Sequence, residues 1–153
     1  MTRTMLALAL LLALALPAGA SASLGGSVAT VEADRVQMQS ALVRITRING
    51  YSVHEILTPT GTTIREYYSS AGIVFGVAWD GEWPPDLRQL LATYFDQYQR
   101  SVQSVRRAGK SRGRLAIDDN GLIVQAFGHA RSFSGIAYAP ALLPAGVTAD
   151  VVR

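Results

Sequence analysis

Only two histidines occur in the 153 residues, and each has neighbours that could do chemistry. His129 lies in the run GHARSF, two residues before Arg131, so an imidazole and a guanidinium share one short segment. His54 lies in YSVHEIL, and the strand register derived below sets it opposite Glu66. A carboxylate beside a histidine fixes its tautomer, and such a pair can serve as a general base with its orienter or as two of three metal ligands. The plainer reading, which the pattern favours, is a cross-strand polar pair on the wetter face of a sheet. A second pair, Glu55 and Arg65, offers either a cross-strand salt bridge or an arginine shared with a bound carboxylate or phosphate. A glycosidase-like carboxylate pair drawn from Glu55, Glu66, Asp80 and Glu82 is available by composition alone, as in any small domain. No G-x-S-x-G, H-E-x-x-H, P-loop, G-x-G-x-x-G or paired D-x-D run is present, so no catalytic residue is assigned and neither a metal nor a cofactor is expected. The chain has no cysteine, which removes disulfides, thiolate metal sites and cysteine nucleophiles together.

Turn chemistry sets the elements that must hold these residues. Asn49-Gly50 separates the alternating segments ALVRITRI and YSVHEILT. Asn-Gly between such segments signals a two-residue hairpin, because both central positions of the favoured turn need positive φ. That turn sets Ile48 against Tyr51, Thr46 against Val53 and Arg44 against Glu55. Pro59-Thr60-Gly61 fits a type I turn closed by a left-handed glycine, which sets Ile56 against Ile64, Glu55 against Arg65 and His54 against Glu66. Ser70-Ala71-Gly72 repeats the logic and sets Tyr67 against Phe75, Glu66 against Gly76 and Arg65 against Val77. The result is a four-stranded meander. One face collects Ile48, Val53, Leu57, Tyr67, Phe75, Val77 and Trp79 and is expected to be the core face; the other collects His54, Ile56, Glu66, Tyr68, Val74, Gly76 and Ala78. Glu55 then lies on the core face between Arg44 and Arg65, with Arg65 the closer partner.

Trp83-Pro84-Pro85-Asp86 starts a helix, since proline tolerates a first turn and an acidic residue complements its dipole. Leu87, Leu90, Leu91, Tyr94, Phe95, Tyr98, Val102 and Val105 keep the three-four spacing of an apolar stripe, which is expected to cover the core face. Residues 106–114 form a flexible basic loop; counted from Arg100, six basic residues accumulate here, diluted by Gly and Ser. Without interleaved aromatics, this reads as a solvated linker rather than a phosphate-binding patch. RLAIDD, an Asn120-Gly121 turn and LIVQAF make a second hairpin, Ala130 to Tyr138 a further strand, and the Pro-punctuated segment from Pro140 a tail pinned across the domain. Between Leu24 and Ser40 a short helix is expected, with Val31, Met38 and Leu42 near one stripe. The fold class is therefore α+β: an antiparallel sheet, made of the meander and a C-terminal hairpin, packed against one long amphipathic helix.

Residues 1–22 have the three-part layout of a secretory signal: Arg3, an unbroken Ala/Leu run from Met5 to Leu16, then Pro17 and small residues. About twelve apolar residues fall short of the roughly twenty that cross a bilayer. Cleavage after Ala22 leaves residues 23–153 as a single domain with no transmembrane span. A formal charge of +3, from 14 basic and 11 acidic residues, is too small to argue for nucleic acid. Export without cysteine points to the bacterial periplasm.

The segments R-E-Y, V-A-W-D-G, P-D-L-R-Q-L-L, G-H-A-R-S-F-S-G-I-A-Y-A-P and L-P-A-G-V together resemble the exported bacterial proteins of domain-of-unknown-function family 2844. The likeness runs from Leu24-Gly25-Gly26 to the C-terminus. It implies export and one domain, and it carries no activity from which catalytic residues could be transferred. Ala130 departs from the pattern, which has a larger apolar residue after the histidine. Function is thus expected to be non-enzymatic: an exported binding or envelope-accessory domain, with a protein or an anionic envelope component as partner. The alternative is a small hydrolase using His129 or the His54/Glu66 pair.

Overall fold

The computed structural model describes residues 24–28, 36, 39–109 and 113–153. The signal segment and most of the helix expected before Ser40 lie outside them; Leu42, placed on that helix's stripe, belongs to a strand. Seven strands are described: β1 (Ala41–Ile48), β2 (Tyr51–Leu57), β3 (Thr63–Ser69), β4 (Val74–Gly81), β5 (Arg114–Asp119), β6 (Leu122–His129) and β7 (Ser132–Tyr138). They form one antiparallel sheet in the order β1-β2-β3-β4-β7-β6-β5. After β4 the chain crosses the sheet as helices α1 (Leu87–Leu91) and α2 (Phe95–Arg107), then returns strand by strand from the far edge until β7 closes on β4. The fold is α+β, as expected.

The turns act as their residues require. Asn120 and Gly121 both have positive φ, at 40° and 83°, the pair of left-handed positions a tight hairpin needs. At Asn49-Gly50 only Gly50 does, at 90°, so the two-residue loop forms with a different backbone from the one expected while keeping Ile48 opposite Tyr51. The expected pairings of β1 with β2 and of β2 with β3 are all present, including Glu55 opposite Arg65 and His54 opposite Glu66.

The third pairing differs. A bulge between Tyr67 and Tyr68 shifts the register of β4 by one, so Tyr67 opposes Gly76, Glu66 opposes Val77 and Arg65 opposes Ala78. The cause lies in what β4 bonds on its other side. Val74 gives its N–H to Gly26 O at 2.9 Å and takes Gly25 N–H at 2.8 Å, whereas Phe75 O accepts from Ala139 N at 3.2 Å. Two different partners meet at consecutive residues, and the extra residue of a bulge absorbs the change. Because side chains alternate with period two, Val77 and Trp79 move to the face carrying His54, Ile56, Ile64 and Glu66.

The helix covers that face, not the one expected. Leu90 and Leu91 are fully buried with Leu24, Ile56, Ile64, Val74, Val77, Trp79, Ile117, Leu122, Val124 and Ala137. The stripe from Leu87 to Val102 packs against this core as its spacing predicts. Asp86 caps α1 by accepting from the N–H groups of Arg88 and Gln89. A 3₁₀ turn over Ala92–Tyr94, with Ala92 at φ 37°, separates α1 from α2 where a continuous helix was expected.

The opposite face has its own smaller cluster of Tyr67, Phe75, Ala78 and Val152, with Tyr51, Val53, Ile136 and Tyr138 against it. Here the C-terminal tail lies across the sheet as the third layer. It is held by 3₁₀ turns at Pro140–Leu142 and Ala149–Val151, and by Tyr67, whose hydroxyl donates to Arg153 O and accepts from Arg153 N at 3.2 Å. No helix among the described residues is long and apolar enough to cross a membrane.

Candidate functional site

The two histidines do not converge. His54 on β2 and His129 on β6 are four strand positions apart in the sheet, about 19 Å at the usual interstrand spacing. His129 is exposed at the end of β6, paired with Ser132 across a two-residue turn in which Arg131 has φ 61°. Arg131 turns to Glu82, donating from Nη2 to Oε2 at 2.8 Å in the open, where such a bridge stabilises little.

His54 and Glu66 are neighbours, but not on a wet face. Both are buried under the helix side of the sheet, Glu66 completely. The register shift explains the correction: the face with His54 is the main core face, so the pair is buried on the core side of the sheet. His54 Nε2 and Tyr68 Oη are 2.9 Å apart and their rings meet edge to face at 4.6 Å. This is a buried polar cluster with no cleft leading to it among the described cavities. The four carboxylates considered above are dispersed as well, with Glu55 and Asp80 on the sheet face opposite Glu66 and Glu82 beyond β4. Among the described residues no group of three or more His, Asp or Glu is placed to hold a metal ion.

Glu55 and Arg65 do form a pair. They face the tail side of the sheet, and Arg65 donates from Nε to Glu55 Oε2 at 3.1 Å. This is a one-point contact: the Nη groups of Arg65 make no hydrogen bond to any described residue. Two hollows meet at Arg65. One, of about 430 Å³, is lined by Arg44, Tyr51, Glu55, Arg65, Tyr67 and Arg153. The other, of about 290 Å³, runs from Arg65 and Arg153 over Asp80, Gln125, Ser134 and Ile136. Arg44 is opposite Glu55 on the ladder, so the carboxylate sits between two guanidinium-bearing positions as expected, with Arg65 the bonded one. Burial holds the Tyr67 phenol above its usual pKa, so it stays a neutral donor and acceptor well into the alkaline range.

What the arrangement can offer is recognition: a guanidinium with unbonded Nη groups lines the same hollow as Arg44, Arg153 and Tyr67. Guanidinium forks match carboxylate and phosphate oxygens in pairs. Arg153 escapes a reading of the sequence because local periodicity does not say where a Pro-rich tail lands; the only advance signal was that the tail is apolar enough to need a surface. Of the basic loop, Arg106, Arg107 and Arg114 are described, the first two in the last turn of α2 and Arg114 at the start of β5. A search among curated proteins and one among solved structures found no match. A family model does match over residues 20–152, nearly the whole chain, so this protein belongs to the family described as "Protein of unknown function (DUF2844)".

Proposed function

We propose that this chain is an exported, periplasmic, non-enzymatic binding protein, a single domain after removal of residues 1–22. Its binding surface is the tail side of the sheet, where Arg65, with Arg44 and Arg153, receives carboxylate or phosphate groups of the cell envelope. The observation that carries this reading is the half-used guanidinium: Glu55 engages only Nε, which orients the side chain and leaves its Nη fork to a ligand. The layout of the N-terminal residues supports export. The hydrolase alternative has no observation in its favour, since its residues are exposed at a turn or enclosed in the core.

The test is affinity capture. Immobilised residues 23–153 are presented with a periplasmic and envelope extract, beside an Arg65→Ala column. Retention of an anionic component by the first and its loss on the second support the reading; equal retention on both contradicts it.

A further inference from the structure

The two edges of the sheet are built differently. β5, at one edge, is six residues long and carries Arg114, Asp118 and Asp119. Its end is tied to α2, where Gln97 Nε2 donates to Asp119 O and Ser101 Oγ donates to Asp119 Oδ2 at 2.6 Å. A short, charged edge resists pairing with another chain. β1, at the other edge, has eight residues, every one of them exposed, with no acidic residue and no proline. Ile45 and Ile48 leave 40% and 45% of their surface open, and Leu42 and Val43 are exposed as well. An exposed apolar edge strand is a template for a further strand.

The hairpin decides which backbone groups that edge offers. Ile48 and Tyr51 close the two-residue Asn49-Gly50 loop, so they exchange both of their backbone hydrogen bonds. Bonded and non-bonded pairs alternate along an antiparallel ladder. Thr46 and Arg44 therefore also bond inward, to Val53 and Glu55, whereas Ile45 and Arg47 turn their N–H and C=O groups out, away from β2. Thr58 N–H bonds Thr62 O at 2.9 Å, which gives the even-numbered residues of β2 to β3 and agrees with Val53 and Glu55 serving β1. A register shift between Leu42 and Arg44 interrupts the ladder, so its regular stretch is residues 44–48.

A second copy of this chain fits that edge in one register. Two antiparallel copies of β1 must bring outward-facing residues together, which places the two-fold axis at a residue and not between two. An axis at Arg44 or Arg47 sets that arginine against its own copy, and like charges directly opposite are destabilising. At Ile45 it draws the irregular Val43 into the ladder, and at Ile48 it pairs only the strand ends. At Thr46 it uses residues 44–48 alone, with Thr46 opposite Thr46, Ile45 opposite Arg47 and Arg44 opposite Ile48. We propose that the protein forms a two-fold symmetric dimer through β1, centred on Thr46, in which two seven-stranded sheets become one. Each of these arginines then lies beside an isoleucine of the other copy, its aliphatic stem covering apolar surface that a single chain leaves open. The charged edge at β5 stops the assembly at two. Arg44, Thr46 and Ile48 also line the hollow at Arg65, but the pairing is backbone to backbone and needs no anion, so it and the binding reading fail separately.

The chain has no cysteine, so single cysteines report the register. Thr46 and its copy form a non-hydrogen-bonded pair, where Cα atoms lie about 4.5 Å apart, within disulfide reach. Under oxidised glutathione, residues 23–153 bearing Thr46→Cys are expected to link into dimers at least about tenfold faster than Arg44→Cys or Ile48→Cys, whose sites lie about 13 Å from their own copies. A mixture of Arg44→Cys and Ile48→Cys proteins is expected to link as a heterodimer. Sedimentation equilibrium of the cysteine-free chain is expected to show monomer and dimer in exchange. Ile45→Lys sets a second cation against Arg47 at a position already exposed, and is expected to weaken the dimer at least about tenfold with the fold retained by circular dichroism. A monomer persisting at about 1 mM, equal linking rates at the three positions, open-ended oligomers, or no effect of Ile45→Lys would each overturn the proposal.

Discussion

Arg65 on β3 reaches Glu55 on β2 through its Nε alone, at 3.1 Å, directly across the ladder. Both side chains are roughly a third exposed or less, at 35% and 26%, so the bridge is neither a free surface pair nor a sealed one. A pair of this kind contributes about 1 kcal/mol or less to stability. Glu55→Gln keeps the shape and removes the charge. It is expected to lower stability by no more than about 1 kcal/mol in urea denaturation. The same change leaves Arg65 without a competing anion, so capture of anionic envelope material should strengthen. A loss of several kcal/mol would mean that Glu55 is a structural keystone instead.

Deleting Leu91 tests the helix-to-sheet contact. The side chain is fully buried, and Leu91→Ala is expected to cost about 2–5 kcal/mol. Phe95 is only half-buried, with Arg88 stacked 4.5 Å from its ring centroid, so Phe95→Ala should cost less than Leu91→Ala. Arg88→Ala should cost about 0.5–1 kcal/mol, the worth of an exposed cation–π contact. Thermal or urea melts of the three variants give the order directly.

How far this fold was legible follows from particular residues. Turn chemistry is local, and Pro59-Thr60-Gly61 states its own loop length; hence the pairing of β2 with β3 is readable. The bulge opposite Tyr67 is not local. It exists because Val74 bonds the N-terminal segment while Phe75 bonds Ala139, and no window around Val74 contains either partner. One missed residue then inverted the faces of β4, and with them the side chosen for the helix. The same inversion put His54 and Glu66 on a wet face when they are enclosed. Glu55 and Arg65 survived because they lie before the bulge.

Close packing at Gly135 yields a sharp prediction. A Cβ there would lie 2.3 Å from Trp79 Cζ2 and 2.8 Å from Gln125 O, and the second neighbour is backbone that cannot swing away. Gly135→Ala is expected to destabilise by about 1–3 kcal/mol or more through overpacking. Gly61→Ala makes a useful comparison, because its Cβ meets nothing within 4 Å and the cost there is only that of φ 83°. A smaller loss at Gly135 than at Gly61 in matched melts would put Trp79 elsewhere.

Alkaline pH should weaken the fold in a defined direction. Burial raises the pKa values of Tyr67 and Tyr98 above 10.0, so the folded state holds protons that the unfolded chain releases. The stability from these two groups is fully present below pH 10 and is lost as pH rises through their folded pKa values. Urea midpoints between pH 8 and 11.5 should fall, and Tyr67→Phe should flatten part of that fall while losing the hydroxyl's bonds to Arg153. An unchanged slope in the variant would show that Tyr67 is not buried in solution.

Export is tested at the N-terminus. Expressed in a Gram-negative host, the protein is expected in the periplasmic fraction starting at Ser23, or at Ser21 if the peptidase acts two residues earlier. Met1 retained on membrane-bound protein would contradict the signal reading.

The central claim is that Arg65 presents an unspent donor fork to an anion, and its side-chain resonance reports this most directly. The measurement is a citrate titration followed at the arginine Nε–Hε signals in ¹H–¹⁵N spectra at constant ionic strength. Arg65 is expected to move saturably, together with Arg44 or Arg153, while Arg88 on the helix stays still. Uniform small shifts of every exposed arginine, or none at Arg65, would contradict the account.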